Sequence, residues 1–306
     1  MTYITVDGGT TNTRLHLVKN GELQDVIRLS VGARDGAEAL KQALREGVST
    51  LLSRNNLHTS AISRILASGM ITSERGLCNL AHISTPAGKK ELRESLYETV
   101  LAEICEIPFC FIRGVKSEGG ALSDCDVMRG EETELMGLLE ERTGGVRYVL
   151  PGSHSKHILV DAEGRITRFR TMMTGELFAA VMQNTILRDA TDFSHAQIVE
   201  TMLTDGYEYC HAHGINEALF KVRILRNLRG ASAEDCYSFL LGAVLGDEID
   251  AILDGEEETV VLGGQKQLRE AMALLLSRVG KKTLVCLSDE AVAASTARGA
   301  IRIFEA

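Results

Sequence analysis

The chain has 306 residues, of which 44% are hydrophobic and 25% are charged, and its formal net charge is −9. This composition is typical of a globular protein with a well-buried core, and the length predicts two domains of roughly 150 residues each. The acidic balance disfavours a nucleic-acid partner, which requires a positive protein surface, and no run approaches the ~20 apolar residues of a membrane span. The start of the chain has no basic segment or cleavage site, so no signal peptide is expected. The seven cysteines match no zinc or redox spacing, which predicts reduced core thiols in a cytoplasmic protein.

The first elements predicted in chain order form a three-stranded antiparallel meander. A strand over 3–7 enters the turn Asp7-Gly-Gly-Thr-Thr-Asn-Thr13, and the alternating residues 14–18 predict a second strand. Asn20-Gly21 is a hairpin signal, and 23–29 follows as the third strand. Beyond the meander, the sequence predicts helices over 34–54, 87–104 and 130–142 and strands over 62–67 and 108–113.

A second meander of similar construction is predicted after Thr143-Gly144-Gly145, which ends the preceding helix. Strands over 147–151, 156–161 and 165–170 are joined by the turn Gly152-Ser153-His154-Ser155 and by a turn over 162–164. Each meander has a polar glycine turn after its first strand, so the two form an internal architectural repeat. We therefore predict two related lobes, 1–142 and 143–306.

The rest of the chain is predicted to be mainly helical. Helices are expected over 175–188, 194–213, 215–228, 232–254, 265–279 and 290–304, and strands over 258–262 and 283–287. Asp289 is the predicted N-cap of the last helix.

The two glycine turns are the candidate phosphate-binding elements, because the sequence contains neither a P-loop nor a Gly-x-Gly-x-x-Gly after the first strand. Gly8 and Gly9 lack side chains, so backbone N–H groups could approach phosphate oxygens. Hydroxyl donors could come from the threonines of the turn, Thr10, Thr11 and Thr13. Asp7 would repel bare phosphate, which favours a role in holding Mg²⁺ directly or through water. The alternative is an ordinary hairpin with Asp7 as a turn residue, but the second turn favours the functional interpretation.

Three stretches resemble motifs of the actin, hexokinase and heat-shock-70 superfamily. Asp7–Thr13 resembles its first phosphate motif, Leu150-Pro-Gly-Ser-His-Ser-Lys156 its second, and Val260-Val-Leu-Gly-Gly-Gln265 its adenosine motif. The resemblance implies an α/β, two-lobed actin-like ATPase (ribonuclease H-like) fold, in which parallel strands extend each meander and helices flank it. It also implies ATP and Mg²⁺ as cofactors, with Asp7 as catalytic residue and metal ligand. The implied nucleotide-binding residues are Gly8, Gly9, Thr10, Thr11, Asn12, Gly152, Ser153, His154, Lys156, Gly263 and Gly264.

A narrower resemblance is to the 2-dehydro-3-deoxygalactonokinase family. It is carried by Val127-Met-Arg-Gly-Glu-Glu-Thr-Glu-Leu-Met-Gly137, Pro151-Gly-Ser-His-Ser-Lys156 and Phe169-Arg-Thr-Met-Met-Thr-Gly-Glu-Leu177. Gly8 stands where that family carries a tryptophan, and this chain has no tryptophan. The resemblance implies phosphorylation of 2-dehydro-3-deoxy-D-galactonate on its 6-hydroxyl by ATP, in galactonate catabolism.

The reaction needs a base for the acceptor hydroxyl, and a carboxylate near it is expected. Related sugar kinases supply the base from a Gly-Asp-Gln-Gln-like segment, and Gly130-Glu131-Glu132-Thr133 occupies that place here. Glu131 is the predicted base and Glu132 the second candidate. Alternatively, these glutamates are first-turn helix residues favoured by the helix dipole, which is the preferred interpretation for Glu132 and Glu134.

The substrate is itself a carboxylate, so one or two arginines should grip it. Arg129 and Arg170 are the main candidates, Arg14 is a weaker one, and a solvated surface charge is the alternative for each. The remaining substrate-binding candidates are Glu132, Thr174 and Glu176. Lys156 could neutralise γ-phosphate charge. No histidine metal site is expected, because His154 and His157 lie on a turn and strand rather than on one helix face.

Two alternative functions remain open from the sequence. One is a kinase of the same fold with another hydroxy acid or sugar as substrate, because function depends on the site and not on the fold. The other is a nucleotide-switched binding protein of the same superfamily. Closure of the lobes on the substrate is expected for a kinase. The sequence predicts neither a nucleic-acid nor a membrane partner and leaves the oligomeric state open, with a homodimer as one candidate.

Overall fold

The computed structural model describes residues 1–139, 145–190 and 197–306. Contacts divide the chain into two compact units. The first comprises Met1–Gly144, Leu159–Phe169 and Ser288–Ala306, and the second comprises Gly145–Ile158 and Arg170–Leu287. The predicted boundary between 142 and 143 lies outside the described residues, so the division into lobes 1–142 and 143–306 stays a prediction.

The strands in chain order are β1 (Thr2–Gly8), β2 (Thr13–Lys19), β3 (Glu22–Leu29), β4 (Arg64–Gly69), β5 (Ile83–Ser84), β6 (Tyr97–Val100), β7 (Pro108–Phe111), β8 (Val115–Ser117), β9 (Asp126–Met128), β10 (Val146–Leu150), β11 (Ser155–Val160), β12 (Ile166–Met172), β13 (Thr259–Leu262) and β14 (Thr283–Cys286). The helices are α1 (Ala37–Arg54), α2 (Lys89–Glu94), α3 (Glu131–Leu138), α4 (Thr174–Asn184), α5 (Glu200–His213), α6 (Ile215–Arg229), α7 (Ala233–Leu253), α8 (Lys266–Val279) and α9 (Asp289–Phe304). None of the helices in the described part of the chain is both long and apolar enough to cross a membrane.

The large sheet of the first unit has the order β3-β2-β1-β4-β7-β6. β1, β2 and β3 form the predicted antiparallel meander, and β4 and β7 extend it as parallel strands. The parallel register pairs Asp7 with Ser68 and Gly8 with Gly69. The carboxyl ends of β1 and β4 therefore meet at one edge of the sheet, and this edge carries the first glycine turn.

The first unit has its core between this sheet and α1. Leu44, Val48 and Leu51 lie three or four residues apart along α1, on one helical face, and they are buried in one cluster with Ile4 and Val6 of β1. This packing stabilises the strand end that carries Asp7, because apolar surface on both elements is removed from water.

The second sheet has the order β12-β11-β10-β13-β14. β10 and β13 are parallel and pair Val149 with Leu262, so the second glycine turn and Gly263-Gly264 follow at the same edge. Helix α7 has buried residues on all its faces and lies in the core of the second unit.

The prediction of one helix over 87–104 is wrong. Only α2, Lys89–Glu94, is helical there, and β6 follows it as an edge strand paired antiparallel to β7. In β6, Tyr97 pairs with Phe111, and their ring centroids lie 6.4 Å apart. Strand pairing thus overrides the helical periodicity at this aromatic and β-branched segment.

Other boundaries differ by smaller amounts. Ser288 rather than Asp289 caps α9, because its hydroxyl oxygen accepts the Ala291 N–H at 3.2 Å. The strands β5, β8 and β9 form a small separate sheet that was not predicted, since two or three residues are too short for a periodic signal. Some predicted boundaries lie outside the described residues. They are the helix ends at 140–142 and 194–196 and most of the helix stop at 143–145.

A buried polar pair joins β11 to α7 within the second unit. His157 Nε2 lies 2.9 Å from Glu248 Oε1, and each side chain is only 1% exposed. The other polar atom of each residue, His157 Nδ1 and Glu248 Oε2, has no hydrogen-bond partner among the described residues. A buried pair of this kind is costly to break, because removal of one partner leaves the other buried and uncompensated.

We expect His157→Leu to lower the free energy of unfolding by about 3 kcal/mol, because Glu248 would lose its partner in the core. The double variant His157→Leu/Glu248→Leu should recover most of that loss, since an apolar pair carries no desolvation penalty. Urea unfolding of the two variants and the wild type measures this. A double variant at least as destabilised as the single one would contradict the interpretation.

Candidate active site

The first glycine turn is tightly packed at its base and exposed at its tip. A Cβ added at Gly8 would lie 2.7 Å from the Ile71 Cβ, so the tryptophan expected from the family resemblance would fit here only if Ile71 moved. The Gly9 N–H donates to the Asn12 carbonyl oxygen at 2.9 Å, which closes the turn. Thr10, Thr11 and Asn12 are exposed at the tip. The loop therefore presents two hydroxyls and an amide where phosphate contacts are predicted.

Thr13 departs from the expectation for this turn. Its side chain is buried, and its hydroxyl donates to the Val31 carbonyl oxygen at 2.8 Å. The hydroxyl thus anchors the start of β2 and is not offered to a ligand.

Asp7 lies near the end of β1, with its side chain 22% exposed. Burial raises the pKa of this carboxyl, and the charge of Arg14 opposes that rise. The Arg14 guanidinium lies 3.8 Å from the Asp7 carboxylate and is half exposed. Arg14 is thus the ion-pair partner of Asp7, which leaves it poorly placed to grip a substrate carboxylate at the same time.

Three glycines bring the start of α3 close to the end of β1. A Cβ on Gly69 would lie 2.5 Å from the Gly8 carbonyl oxygen, and one on Gly130 would lie 3.2 Å from the Gly69 Cα. Gly69 and Gly130 also have positive φ angles of 85° and 113°, which favour glycine. Backbone contact of this kind places Glu131 near the first turn, within the first unit.

Glu131 and Glu132 have different environments at the start of α3. Glu131 is partly exposed, and its carboxylate accepts the Arg129 backbone N–H at 3.0 Å. Glu132 has no exposed surface, and its carboxyl oxygens accept the Gly130 N–H at 2.8 and 2.9 Å and the Thr133 hydroxyl at 3.0 Å. Of the two, only Glu131 has surface that a substrate could contact.

The pKa of Glu132 is raised to about 8, first by burial and then by the negative charge of Glu131. The hydrogen bonds that Glu132 accepts oppose this rise. The buried carboxyl is therefore largely protonated at neutral pH.

Arg129 is used within the first unit. One Nη donates to the carbonyl and hydroxyl oxygens of Thr72 at 2.7 and 2.5 Å, and the other donates to the Leu80 carbonyl oxygen at 2.9 Å and lies 3.3 Å from His82 Nδ1. The Arg129 guanidinium thus joins residues 72–82 to the chain just before Gly130. This arrangement favours positioning over the predicted grip on a substrate carboxylate.

The second glycine turn packs against the start of α4, within the second unit. The Glu176 N–H donates to the Ser153 carbonyl oxygen at 3.0 Å, and a Cβ on Gly175 would lie 2.3 Å from the Gly152 carbonyl oxygen. His154 Nε2 is hydrogen-bonded to the Glu176 carboxylate, and both side chains are about half exposed. The structure thus brings together His154, predicted for the nucleotide, and Glu176, predicted for the substrate.

The remaining predicted residues of this unit differ in accessibility. Lys156 is only 5% exposed, and its ammonium donates to the Thr171 hydroxyl at 2.7 Å. Thr174 is buried at the first position of α4, whereas Arg170 is exposed on β12. Arg170 is therefore the more accessible of the predicted cations here.

The predicted adenosine motif packs on the strand end that precedes the second turn. The Gly263 N–H donates to the Val149 carbonyl oxygen at 2.9 Å, and the Gln265 N–H donates to that of Pro151 at 2.6 Å. Gly264 has a φ of 64° and leaves no space for a Cβ, which would lie 2.3 Å from the Pro151 oxygen. The buried Arg269 donates to the Gly264 carbonyl oxygen at 2.8 Å and fixes this turn.

A cavity of about 200 Å³ lies beside this turn in the second unit. Aromatic and apolar side chains share its wall with three glutamine side chains. Its lining residues are Gly175, Phe178, Ala179, Met182, Gln183, Tyr237, Gln265, Gln267 and Leu268. Phe178 and Tyr237 could not be identified as lining residues from the sequence, because their apolar helical spacing equally predicts core positions.

The polar groups of the first unit bear on whether it can hold Mg²⁺. In the described ranges, no three His, Cys, Asp or Glu side chains are grouped to hold a metal ion. Mg²⁺ does not need three such side chains, because it keeps several waters and binds through one or two carboxylates plus phosphate oxygens. Asp7 supplies such a carboxylate, and the buried Ser68 hydroxyl beside it in the register has no hydrogen-bond partner among the described residues. The residues fit a hydrated ion.

Comparisons with known proteins show the family of this chain. The family described as 2-keto-3-deoxy-galactonokinase matches residues 7–298. A Rhizobium meliloti (strain 1021) protein named "Probable 2-dehydro-3-deoxygalactonokinase" is 31% identical over 313 residues, which cover 99% of this chain and 97% of that one. The prefixes 2-keto and 2-dehydro denote the same carbonyl group.

Solved structures show the same fold. A Sinorhizobium meliloti protein assigned to 2-dehydro-3-deoxygalactonokinase has a TM-score of 0.77 at 26% identity and covers 99% of this chain and 100% of its own. The activator of the 2-hydroxyisocaproyl-CoA dehydratase from Clostridium difficile, solved with bound ADPNP, has a TM-score of 0.58 at 14% identity, with 100% and 95% covered. The predicted actin-like ATPase fold is confirmed. Since the family match spans nearly the whole chain, this protein belongs to the 2-keto-3-deoxy-galactonokinase family of phosphotransferases.

Proposed function

We propose that this protein transfers the γ-phosphoryl group of Mg·ATP to the 6-hydroxyl of 2-dehydro-3-deoxy-D-galactonate. The observation that carries the proposal is the family match over residues 7–298, which includes both glycine turns, the Gly130-Glu131 segment and the Gly263-Gly264 turn. A cytoplasmic location and a homodimer stay predictions.

Glu131 is the proposed base for the 6-hydroxyl. Its carboxylate is partly exposed and fixed by the Arg129 N–H at 3.0 Å, whereas the Glu132 carboxyl is fully buried. A carboxylate oriented in this way can accept the hydroxyl proton as the phosphoryl group arrives. Arg129 orients the base through its backbone, and its guanidinium fixes the adjoining segment.

The proposed nucleotide contacts come from turns in each unit. In the first unit, Asp7 would hold Mg²⁺ through water, and the exposed Thr10, Thr11 and Asn12 would donate to phosphate oxygens. Bound Mg²⁺ supplies positive charge that offsets the charge of the transferring phosphoryl group. In the second unit, Gly152, Ser153 and His154 would contact phosphate.

The cavity beside Gly263-Gly264 is the proposed adenine site. Tyr237 and Phe178 supply aromatic walls, with ring centroids 5.4 Å apart in an edge-to-face arrangement. The amide side chains of Gln265 and Gln267 can pair with ring nitrogens and the exocyclic amine. Lys156 is buried and Thr174 is covered, so their predicted ligand contacts would need local movement.

Arg170 is the proposed grip for the substrate carboxylate. It is exposed on β12, whereas the Arg129 guanidinium is engaged with Thr72 and Leu80, and Arg14 faces Asp7. An exposed guanidinium suits a carboxylate because it can bind both oxygens.

The test is ADP release by the purified protein with Mg·ATP against a substrate panel. The panel contains 2-dehydro-3-deoxygalactonate, its gluconate epimer, hexoses, glycerol and pantothenate. We expect strong turnover on the galactonate acid. Turnover only on another compound would support a kinase but contradict the proposed substrate. Tight ATP binding without turnover would favour a nucleotide-switched binding protein.

A further inference from the structure

Ser68 is a buried serine whose hydroxyl has no hydrogen-bond partner in the described part of the chain. It lies at the penultimate position of β4 and is 1% exposed. Buried hydroxyls are nearly always hydrogen-bonded, because an unpaired one carries a desolvation penalty. The orphaned Ser68 Oγ therefore indicates a partner other than the described residues.

The strand register places that hydroxyl beside Asp7. Asp7 and Ser68 are paired residues on the parallel strands β1 and β4, so their side chains emerge on the same face of the sheet. Neighbouring strands are about 4.8 Å apart. Among the described residues the Ser68 hydroxyl has no hydrogen-bond partner, so Asp7 does not bond to it directly and one bridging molecule could join the two groups.

The Asp7 carboxylate also has unused hydrogen-bonding capacity. The interaction found for it among the described residues is the ion pair with Arg14 at 3.8 Å, which is longer than a hydrogen bond. Gly8 and Gly69 are the next pair in the register, so neither strand places a Cβ beyond the two groups. A carboxylate and an orphaned hydroxyl thus face one position at the edge of the sheet.

We propose that Ser68 is a further ligand-positioning residue of the kinase site, where its hydroxyl holds a water molecule of the hydrated Mg²⁺ that Asp7 also holds. This inference rests on the proposed function and extends it to a residue outside the signature motifs. A metal-bound water has two protons, so one can be donated to the Asp7 carboxylate and the other to the Ser68 oxygen. Mg²⁺ retains several waters, so such an indirect contact suits this ion.

The experiment compares Ser68→Ala with Ser295→Ala. Ser295 is also 1% exposed and belongs to the same unit, but its hydroxyl donates to the Val292 carbonyl oxygen of its own helix at 2.6 Å. Mn²⁺ binding in the presence of ADP is followed by the loss of the free-ion resonance signal, and ADP binding in EDTA is measured by calorimetry. Turnover is recorded as a separate readout.

In Ser68→Ala, we expect the Mn²⁺ affinity with ADP to fall about threefold to tenfold, as for one lost hydrogen bond, while ADP binding in EDTA is unchanged. Ser295→Ala should change neither. If Ser68→Ala does not fold, Ser68→Cys provides the measurement, because a thiol keeps the volume and bonds only weakly.

An unchanged Mn²⁺ affinity in Ser68→Ala, with normal wild-type turnover, would overturn the inference and leave the proposed function intact. An equal loss of ADP binding with and without metal would also overturn it, since that indicates a general structural role. A wild-type protein with neither Mn²⁺-dependent ADP binding nor turnover would overturn the proposed function itself.

Discussion

Glu131→Gln is expected to lower kcat by about 10²-fold to 10⁴-fold while ATP still binds, because the acceptor hydroxyl loses its base. Glutamine keeps the shape of the side chain and can still accept the Arg129 N–H through its amide oxygen, so the start of α3 should remain in place. The measurement is steady-state ADP release with the galactonate acid, together with calorimetric ATP binding.

Glu134→Gln provides a matched control on the same helix. Glu134 follows Glu131 in the first turn of α3, where acidic residues are favoured by the helix dipole. We expect kcat to change less than about twofold in this variant, in line with small effects outside the site. A Glu131→Gln enzyme with wild-type kcat would eliminate Glu131 as the base, and an equal loss in both variants would indicate a structural effect.

The structure shows which of Glu131 and Glu132 is buried and which is accessible, and the sequence alone could not decide this. Both stand in a first helical turn, and helical rotation of about 100° per residue directs them differently. Which of the two faces inward depends on the contact of Gly130 with Gly69, a residue 61 positions earlier in the chain. Such long-range backbone contacts leave no local pattern.

The meanders were predictable because alternation and turn residues are local signals. Asp7 and the glycines after it form the strand end and turn that were expected, and Gly263-Gly264 follows β13 as predicted. The partners of the charged groups were not predictable. Nothing in the sequence around Arg129 indicates that its guanidinium would bind Thr72 and Leu80.

Ser68 likewise could not be identified as a site residue from the sequence. In the sequence it is one small polar residue before a glycine, which commonly marks the end of a strand. Only the register with Asp7 and the absence of a partner among the described residues distinguish it from other buried serines. A site residue of this kind is found from unpaired atoms and not from motifs.

Glu132→Gln is expected to become more stable than the wild type as pH rises, by up to about 5 kcal/mol at pH 8, at about 1.36 kcal/mol per pKa unit. The Glu132 pKa is raised from 4.5 to about 8 by burial and by the charge of Glu131. Between those values the folded wild type keeps a proton that the unfolded chain releases, so its stability falls as pH increases. Glutamine does not titrate and removes this loss, while its amide oxygen can still accept the Gly130 N–H.

The measurement is the free energy of unfolding in urea at intervals from pH 5 to pH 9. The difference between Glu132→Gln and the wild type should grow over this range and level off above about pH 8, once both states of the wild type have lost the proton. Met136→Leu, a volume-conserving change at a buried position of the same helix, should differ from the wild type by an amount independent of pH. A Glu132→Gln difference that stays constant from pH 5 to pH 9 would mean that this carboxyl titrates alike in both states. The α3 N-terminus would then be hydrated, and Glu132 would again compete with Glu131 for the role of base.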